Sequence, residues 1–208
     1  MEFLVKKIKT SAIIVILLFV SVNMFAQQAV INAFKKSYEL EKKGDFKKAA
    51  EEMKKVYDAQ SYEINLRLGW LDYQAGLFTE SASYYKKAVT LMPYSEEAKF
   101  GLIYPKAALG KWDEVINLYN KILVNNPNNT TANYRLGLIY YGHKDYSKAY
   151  KYFNKVVNLY PFGYDGLLMF AWTNFQLGKL REAKVLFNKV LMYSPNDKSA
   201  LEGLNLIK

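Results

Sequence analysis

An all-α fold is predicted, a solenoid of five helix pairs closed by one further helix. Three observations predict it. Prolines stand at 93, 127, 161 and 195, one every 34 residues. Between Thr130 and Pro161 runs a pattern of Leu136, Gly137, Tyr140, Ala149, Phe153, Val156 and Pro161, and weaker copies of it lie on both sides. From Val30 onward the apolar residues keep helical spacing, with no Pro-, Gly- or Ser-rich linker between the copies. A unit of this length cannot bury its own apolar face, so neighbouring units must stack and share a core.

The composition supports such a core and excludes several chemistries. With 51% hydrophobic and 23% charged residues in 208 positions, the chain is that of a globular protein with one sizeable core. Cysteine is absent, which rules out a disulfide framework, a thiolate nucleophile, a cysteine zinc site and a lipid anchor on an N-terminal cysteine. The formal charge is +10, of which +2 falls before residue 27. What remains is basic enough to favour anionic partners or surfaces.

Taken in order, residues 1–26 read as an export signal. Lys6, Lys7 and Lys9 precede an apolar run from Ala12 to Val22, and Met24-Phe25-Ala26 offers a cleavage point before Gln27. An uncleaved N-terminal anchor is the alternative, and either places the remainder outside the cytoplasm, in a bacterial periplasm. The repeat domain, 30–208, is expected to hold helix pairs at 30–61, 62–94, 95–129, 130–162 and 163–196 and a capping helix at 198–207. Each second helix stops near a proline, which lacks the N–H and clashes with the preceding turn. Ser95, Asn129 and Asp197 then stand where the next helix needs a cap. In the final segment Ala200, Leu201, Leu204 and Ile207 share one face, suited to covering the open end of the last pair.

These units resemble tetratricopeptide repeats, and the likeness covers essentially everything after the signal. It implies a right-handed α–α superhelix. The family's small eighth residue is met by Ser37, Gly69, Gly137 and Ala171 and broken by Ile103. Glycine at the fifteenth position, where the first helix ends left-handed, appears as Gly44, Gly76, Gly110 and Gly178, with Lys144 in the fourth repeat. The twentieth position holds Ala49, Ser81, Val115, Ala149 and Ala183, and the twenty-fourth Met53, Tyr85, Tyr119, Phe153 and Phe187. Small and large contacts thus alternate at i, i+4 on one helical face. The family's early tryptophan is missing throughout, and its eleventh-position tyrosine survives only as Tyr140.

One local conflict carries its own expectation. Pro105 falls inside the first helix of the third repeat, where a proline costs about 3 kcal/mol. The carbonyl it would strike belongs to Gly101, so a kink or broken turn is expected from Gly101 to Pro105, the alternative being a nearly straight helix that neighbours hold in place.

No reaction is specified. The sequence has no phosphate-cradling glycine loop, no HExxH and no GxSxG, and the single histidine, His143, belongs to an exposed turn. The chain is read as a non-enzyme without cofactor or metal. The family resemblance implies instead a concave groove lined by the first helices. Carried onto this sequence, its lining positions give Tyr38, Trp70, Tyr73, Phe100, Tyr104, Tyr134, Tyr141, Trp172 and Phe175 as groove candidates. Rings at i, i+4 and i+7 share one helical face, where they line a groove or fill the space between helices. The two-lysine, two-asparagine, one-arginine clamp that some relatives use for a C-terminal carboxylate is lacking; only Arg67 and Arg135 stand near, with Glu63, Glu97 and Asp165 at the second position. The partner expected is a protein or an extended peptide rich in apolar or proline residues, held as part of a bacterial envelope complex. A carbohydrate or cell-wall binder, stacking sugars on Trp70 and Trp172, is the alternative. Lysines concentrated on the second helices are either a solvated face or a contact for an anionic envelope surface. Nucleic acid is not expected for an exported chain, and oligomeric state is left open.

Overall fold

Helices account for every regular element among the described residues, and the chain's own punctuation sets their ends. The computed structural model describes residues 27–207. Of these, residues up to Lys111 form one compact unit and those from Trp112 a second. The first holds α1 (27–41), α2 (Phe46–Lys54), α3 (Tyr62–Gln74), α4 (Phe78–Leu91) and α5 (Glu96–Ala108). The second holds α6 (Trp112–Asn125), α7 (Thr130–Gly142), α8 (Tyr146–Leu159), α9 (Tyr164–Gln176), α10 (Leu180–Tyr193) and α11 (Lys198–Leu206). The expected signal or anchor lies outside the described residues.

Side-chain oxygens start several of these helices. Ser61, Ser95, Asn129 and Asp197 each accept a hydrogen bond from the backbone N–H three residues on, at Ile64, Ala98, Ala132 and Ala200. That satisfies one otherwise orphaned donor per helix, worth about 1 kcal/mol each. The first helix of a pair ends left-handed at Gly44, Gly76, Gly110 and Gly178, with φ between 69° and 78°. In the fourth repeat Lys144 adopts the same conformation, φ 60°, although a side chain there is strained. Gly142, two residues earlier, remains inside α7 and does not relieve it.

Packing within each unit follows one device, an aromatic ring seated where a neighbouring helix has no Cβ. In the first unit the Tyr85 ring of α4 lies against Gly69 of α3 and Gly101 of α5; a Cβ on Gly69 would sit 2.7 Å from it, and one on Gly101 closer still. In the second unit Phe153 occupies the corresponding gap at Gly137, 2.6 Å from where a Cβ would be, and Phe187 the gap at Gly203 of α11. Phe153 and Phe187 are fully buried, and each contributes about 2–3 kcal/mol by leaving water. The first unit's core adds Met53, Leu68 and Leu71, the second's Leu167, Ala171 and Val190.

The expected break at Pro105 is not formed. Helix α5 runs through it without interruption, and Leu109 donates to the Pro105 carbonyl at 3.0 Å, so the hydrogen-bond ladder resumes one turn later. Pro105 is buried together with Gly101 and Leu102, and this packing offsets the one lost hydrogen bond. Gly101 gives its open side to the Tyr85 ring.

A second recurring device joins consecutive pairs. At the fourth position of three repeats stands a buried polar side chain that binds the carbonyls of the turn just before it. The Asn65 amide donates to Ala59 and Ser61 at 3.1 and 2.7 Å, the Asn133 amide to Pro127 and Asn129 at 3.1 and 2.9 Å, and the Lys99 ammonium to Pro93 and Ser95. The carbonyls of Ser61 and Asn129 also accept the first backbone N–H of the helix they cap, while those of Ala59, Pro93 and Pro127 lie outside the helices, where burial without a partner would cost about 1–3 kcal/mol apiece.

Candidate functional site

Helix spacing brings three ring-bearing faces of the first unit around one hollow. From α1 come Phe34 and Tyr38; from α3 Tyr62, Glu63, Leu66, Arg67 and Trp70; from α5 Glu97, Phe100, Gly101 and Tyr104, with the Tyr85 ring of α4 at the floor. Along α3 and α5 these residues recur at i, i+3, i+4 and i+7, which is why each helix presents them together. The hollow has a volume of about 570 Å³ and is open to solvent. Tyr38 is 49% exposed, Trp70 36% and Tyr104 52%, so these three rings are surface, not core.

An inner polar cluster fixes the wall. The Arg67 guanidinium lies 3.9 Å from the centre of the Tyr38 ring, donates through Nε to Ser37 Oγ at 2.8 Å, and pairs through Nη1 with Glu41 at 2.6 Å. The Trp70 indole N–H donates to the other Glu41 oxygen at 2.6 Å. Burial pushes the Glu41 carboxyl up, but the hydrogen bonds from Trp70 and Arg67 and the arginine's charge outweigh it and hold it below its ordinary range. Arg67 is only 7% exposed, and its Nη2 has no partner. At the rim the Tyr62 hydroxyl bridges Ser95 Oγ at 2.9 Å and Glu97 at 3.2 Å, and burial raises its pKa. Behind the hollow Tyr73 joins Trp70 to Tyr104, its ring 6.4 and 5.7 Å from theirs.

The other sequence-derived candidates lie in the second unit, in a different setting. Tyr134 meets Phe153 edge-on at 5.8 Å, and Tyr141 meets Tyr146 at 5.3 Å. Trp172 stands edge-to-face with Phe187 at 5.0 Å and with Phe175 at 5.6 Å, and its indole N–H donates to Ser199 of α11 at 2.8 Å. All four are half-buried around the Phe153 and Phe187 core. The structure therefore brings Tyr38, Trp70, Tyr73, Phe100 and Tyr104 together, and places Tyr134, Tyr141, Trp172 and Phe175 apart from them.

Sequence reasoning named Ser37, Arg67 and Trp70 one by one but missed that they join with Glu41 in one cluster. Its signal was present: the partners are 30 and 29 residues apart, the separation that sets neighbouring first helices side by side. It also missed Asp72, a fully buried carboxylate whose oxygens have no hydrogen-bond partner and whose nearest cation is Lys54 at 4.0 Å. Burial raises the Asp72 pKa, Lys54 opposes the rise and Glu80 adds to it. Among the described residues no three His, Asp or Glu side chains gather as a metal site, and no helix is long and apolar enough to cross a membrane.

Three stretches of the chain, 34–96, 130–162 and 164–197, each match a family profile described as Tetratricopeptide repeat. The chain is a tetratricopeptide repeat protein. A crystal structure of a tetratricopeptide repeat protein from Parabacteroides merdae ATCC 43184 is similar over 86% of this chain and 72% of its own, at 24% identity and a TM-score of 0.74. A crystal structure of MamA protein matches at 24% identity over 80% of this chain and 92% of its own, with a TM-score of 0.70. A further MamA crystal structure gives 25%, 76%, 94% and 0.68 for the same quantities. No curated protein is significantly similar in sequence. This tetratricopeptide repeat protein shares their all-α repeat fold and is a scaffold for protein–protein interaction, in a family whose members are in general not enzymes.

Proposed function

We propose that this scaffold holds an extended segment of a partner protein in the hollow between α1, α3 and α5, on the rings of Tyr38, Trp70 and Tyr104. The observation that carries this reading is that all three are exposed around one open space of about 570 Å³. Rigid aromatic surface loses little conformational entropy on binding and commonly supplies the hot spots of an interface. An extended segment can lay apolar or proline side chains on such rings and accept hydrogen bonds from the tyrosine hydroxyls. The sequence of residues 1–26 favours export, and on that reading the scaffold works in a bacterial envelope complex. The exposed lysines of the second helices, among them Lys86, Lys151 and Lys184, suit contact with an anionic surface there.

A second reading, a carbohydrate or cell-wall binder, draws on the Trp70 indole, which Glu41 holds by its N–H while part of its face stays open. Parallel peptide and glycan arrays, each probed with wild type and Trp70→Ala, separate the two. Enrichment of peptides that Trp70→Ala no longer captures supports the scaffold, and the same dependence on the glycan array alone would replace it with the second reading.

A further inference from the structure

We infer that the hollow of the first unit selects a cationic segment, an extended peptide carrying lysine or arginine, although the chain as a whole is strongly basic. This deepens the proposed function and rests on it. Among the described residues Arg67 is the one cation lining the hollow, and Glu41 at 2.6 Å neutralises it from inside the wall. What remains open to a ligand is acidic: Glu63 and Glu97 line the same hollow and are exposed. Glu63 accepts from the Ser61 hydroxyl and Glu97 from the Tyr62 hydroxyl, contacts that orient the carboxylates and leave their charge in place.

Two carboxylates beside three half-exposed rings make a surface that attracts cations twice over. The carboxylates supply charge, and the negative faces of Trp70 and Tyr104 supply cation–π attraction worth about 0.5–2 kcal/mol per contact. An anionic segment meets the opposite, repulsion from the rim with the arginine already occupied. A second, independent feature points to an extended backbone: Arg67 Nη2 is buried on the wall with no partner, an unsatisfied donor. A segment that shifts the Tyr38 ring off the guanidinium can give Nη2 a carbonyl oxygen, which the cation alone does not. Arginine and lysine side chains bring both groups when they arrive on a peptide.

Calorimetric titration of the full chain tests this with three blocked, C-amidated peptides on one Pro/Leu frame, carrying lysine, glutamine or glutamate at the same two positions. The lysine peptide is expected to bind about tenfold tighter than the glutamine one, and the glutamate peptide weakest. Raising the salt should weaken the lysine peptide alone. In Glu63→Gln/Glu97→Gln, with an unchanged melting curve, the lysine peptide should fall to the level of the glutamine peptide. Equal affinity of lysine and glutamine peptides for wild type, both lost in Trp70→Ala, would overturn the charge selection and leave the peptide groove standing. Tightest binding by the glutamate peptide overturns the inference outright, and failure of all three up to about 1 mM overturns it together with the groove.

Discussion

Trp70 and Trp172 occupy the same register in their repeats, yet one belongs to a surface and the other to a core. In the first unit the indole N–H is taken by Glu41, which also holds Arg67, and the ring borders an open hollow. In the second, the indole N–H goes to Ser199 of α11 and the ring presses edge-on into Phe187. Helix α11 is the difference, since it lies against α9 and α10 and brings Ser199 to the indole. A repeat register therefore places a ring but does not decide its use; what lies beside the repeat decides it.

The largest expected effect sharpens that contrast. Trp172→Ala should destabilise the protein by about 3 kcal/mol or more, as removal of a packed aromatic does, whereas Trp70→Ala should leave the denaturant midpoint within about 1 kcal/mol of wild type. Equal losses would erase the distinction between the units. Next come the glycine gaps. Gly101→Ala forces its Cβ into a Tyr85 ring that Gly69 already confines from the other side, with an expected cost of about 2–3 kcal/mol. Gly203→Ala meets Phe187 similarly, but α11 is only nine residues long and can shift, so about 1 kcal/mol is expected. The ordering is read from urea unfolding, and a greater loss at Gly203 would break it.

Asp72 gives the first unit a pH dependence of definite sign. Its folded pKa is raised, so its contribution to stability is fully present below the unfolded carboxylate value of about 4 and is lost as pH rises through the folded one. Asp72→Asn removes that dependence. The variant should gain on wild type as pH increases from about 4 to 7, reaching roughly 1 kcal/mol, and Lys54 should become dispensable in it. A gap that narrows with pH would show that Lys54 dominates the site. The smallest effect belongs to the second unit. Lys144→Gly relieves a left-handed side-chain residue at φ 60° and should stabilise by about 0.5–1 kcal/mol, seen as a small rise in melting temperature.

The repeat architecture was legible because it is written as a period: the prolines, the left-handed glycines, and the caps Ser95, Asn129 and Asp197 all recur at fixed offsets. The gathering of Tyr38, Trp70 and Tyr104 was legible for the same reason, as the three share a register and an open face. The rest was not, because burial depends on neighbours outside the repeat; nothing in the residues around Trp172 announces Phe187 and Ser199. Pro105 misled for a related reason. Local propensity argued for a break, while the Tyr85 ring and the buried surround of α5 hold the helix continuous. Asn65, Lys99 and Asn133 look like ordinary polar residues until the carbonyls they serve are in view.

The most direct test of the account follows the three indole N–H signals of tryptophan-labelled protein by NMR while the lysine peptide is added. Binding in the ring-lined hollow predicts that the Trp70 signal, tied to Glu41, moves with peptide concentration while that of Trp172, tied to Ser199, stays in place. A shift confined to Trp172, or none at Trp70 when calorimetry shows binding, would contradict it.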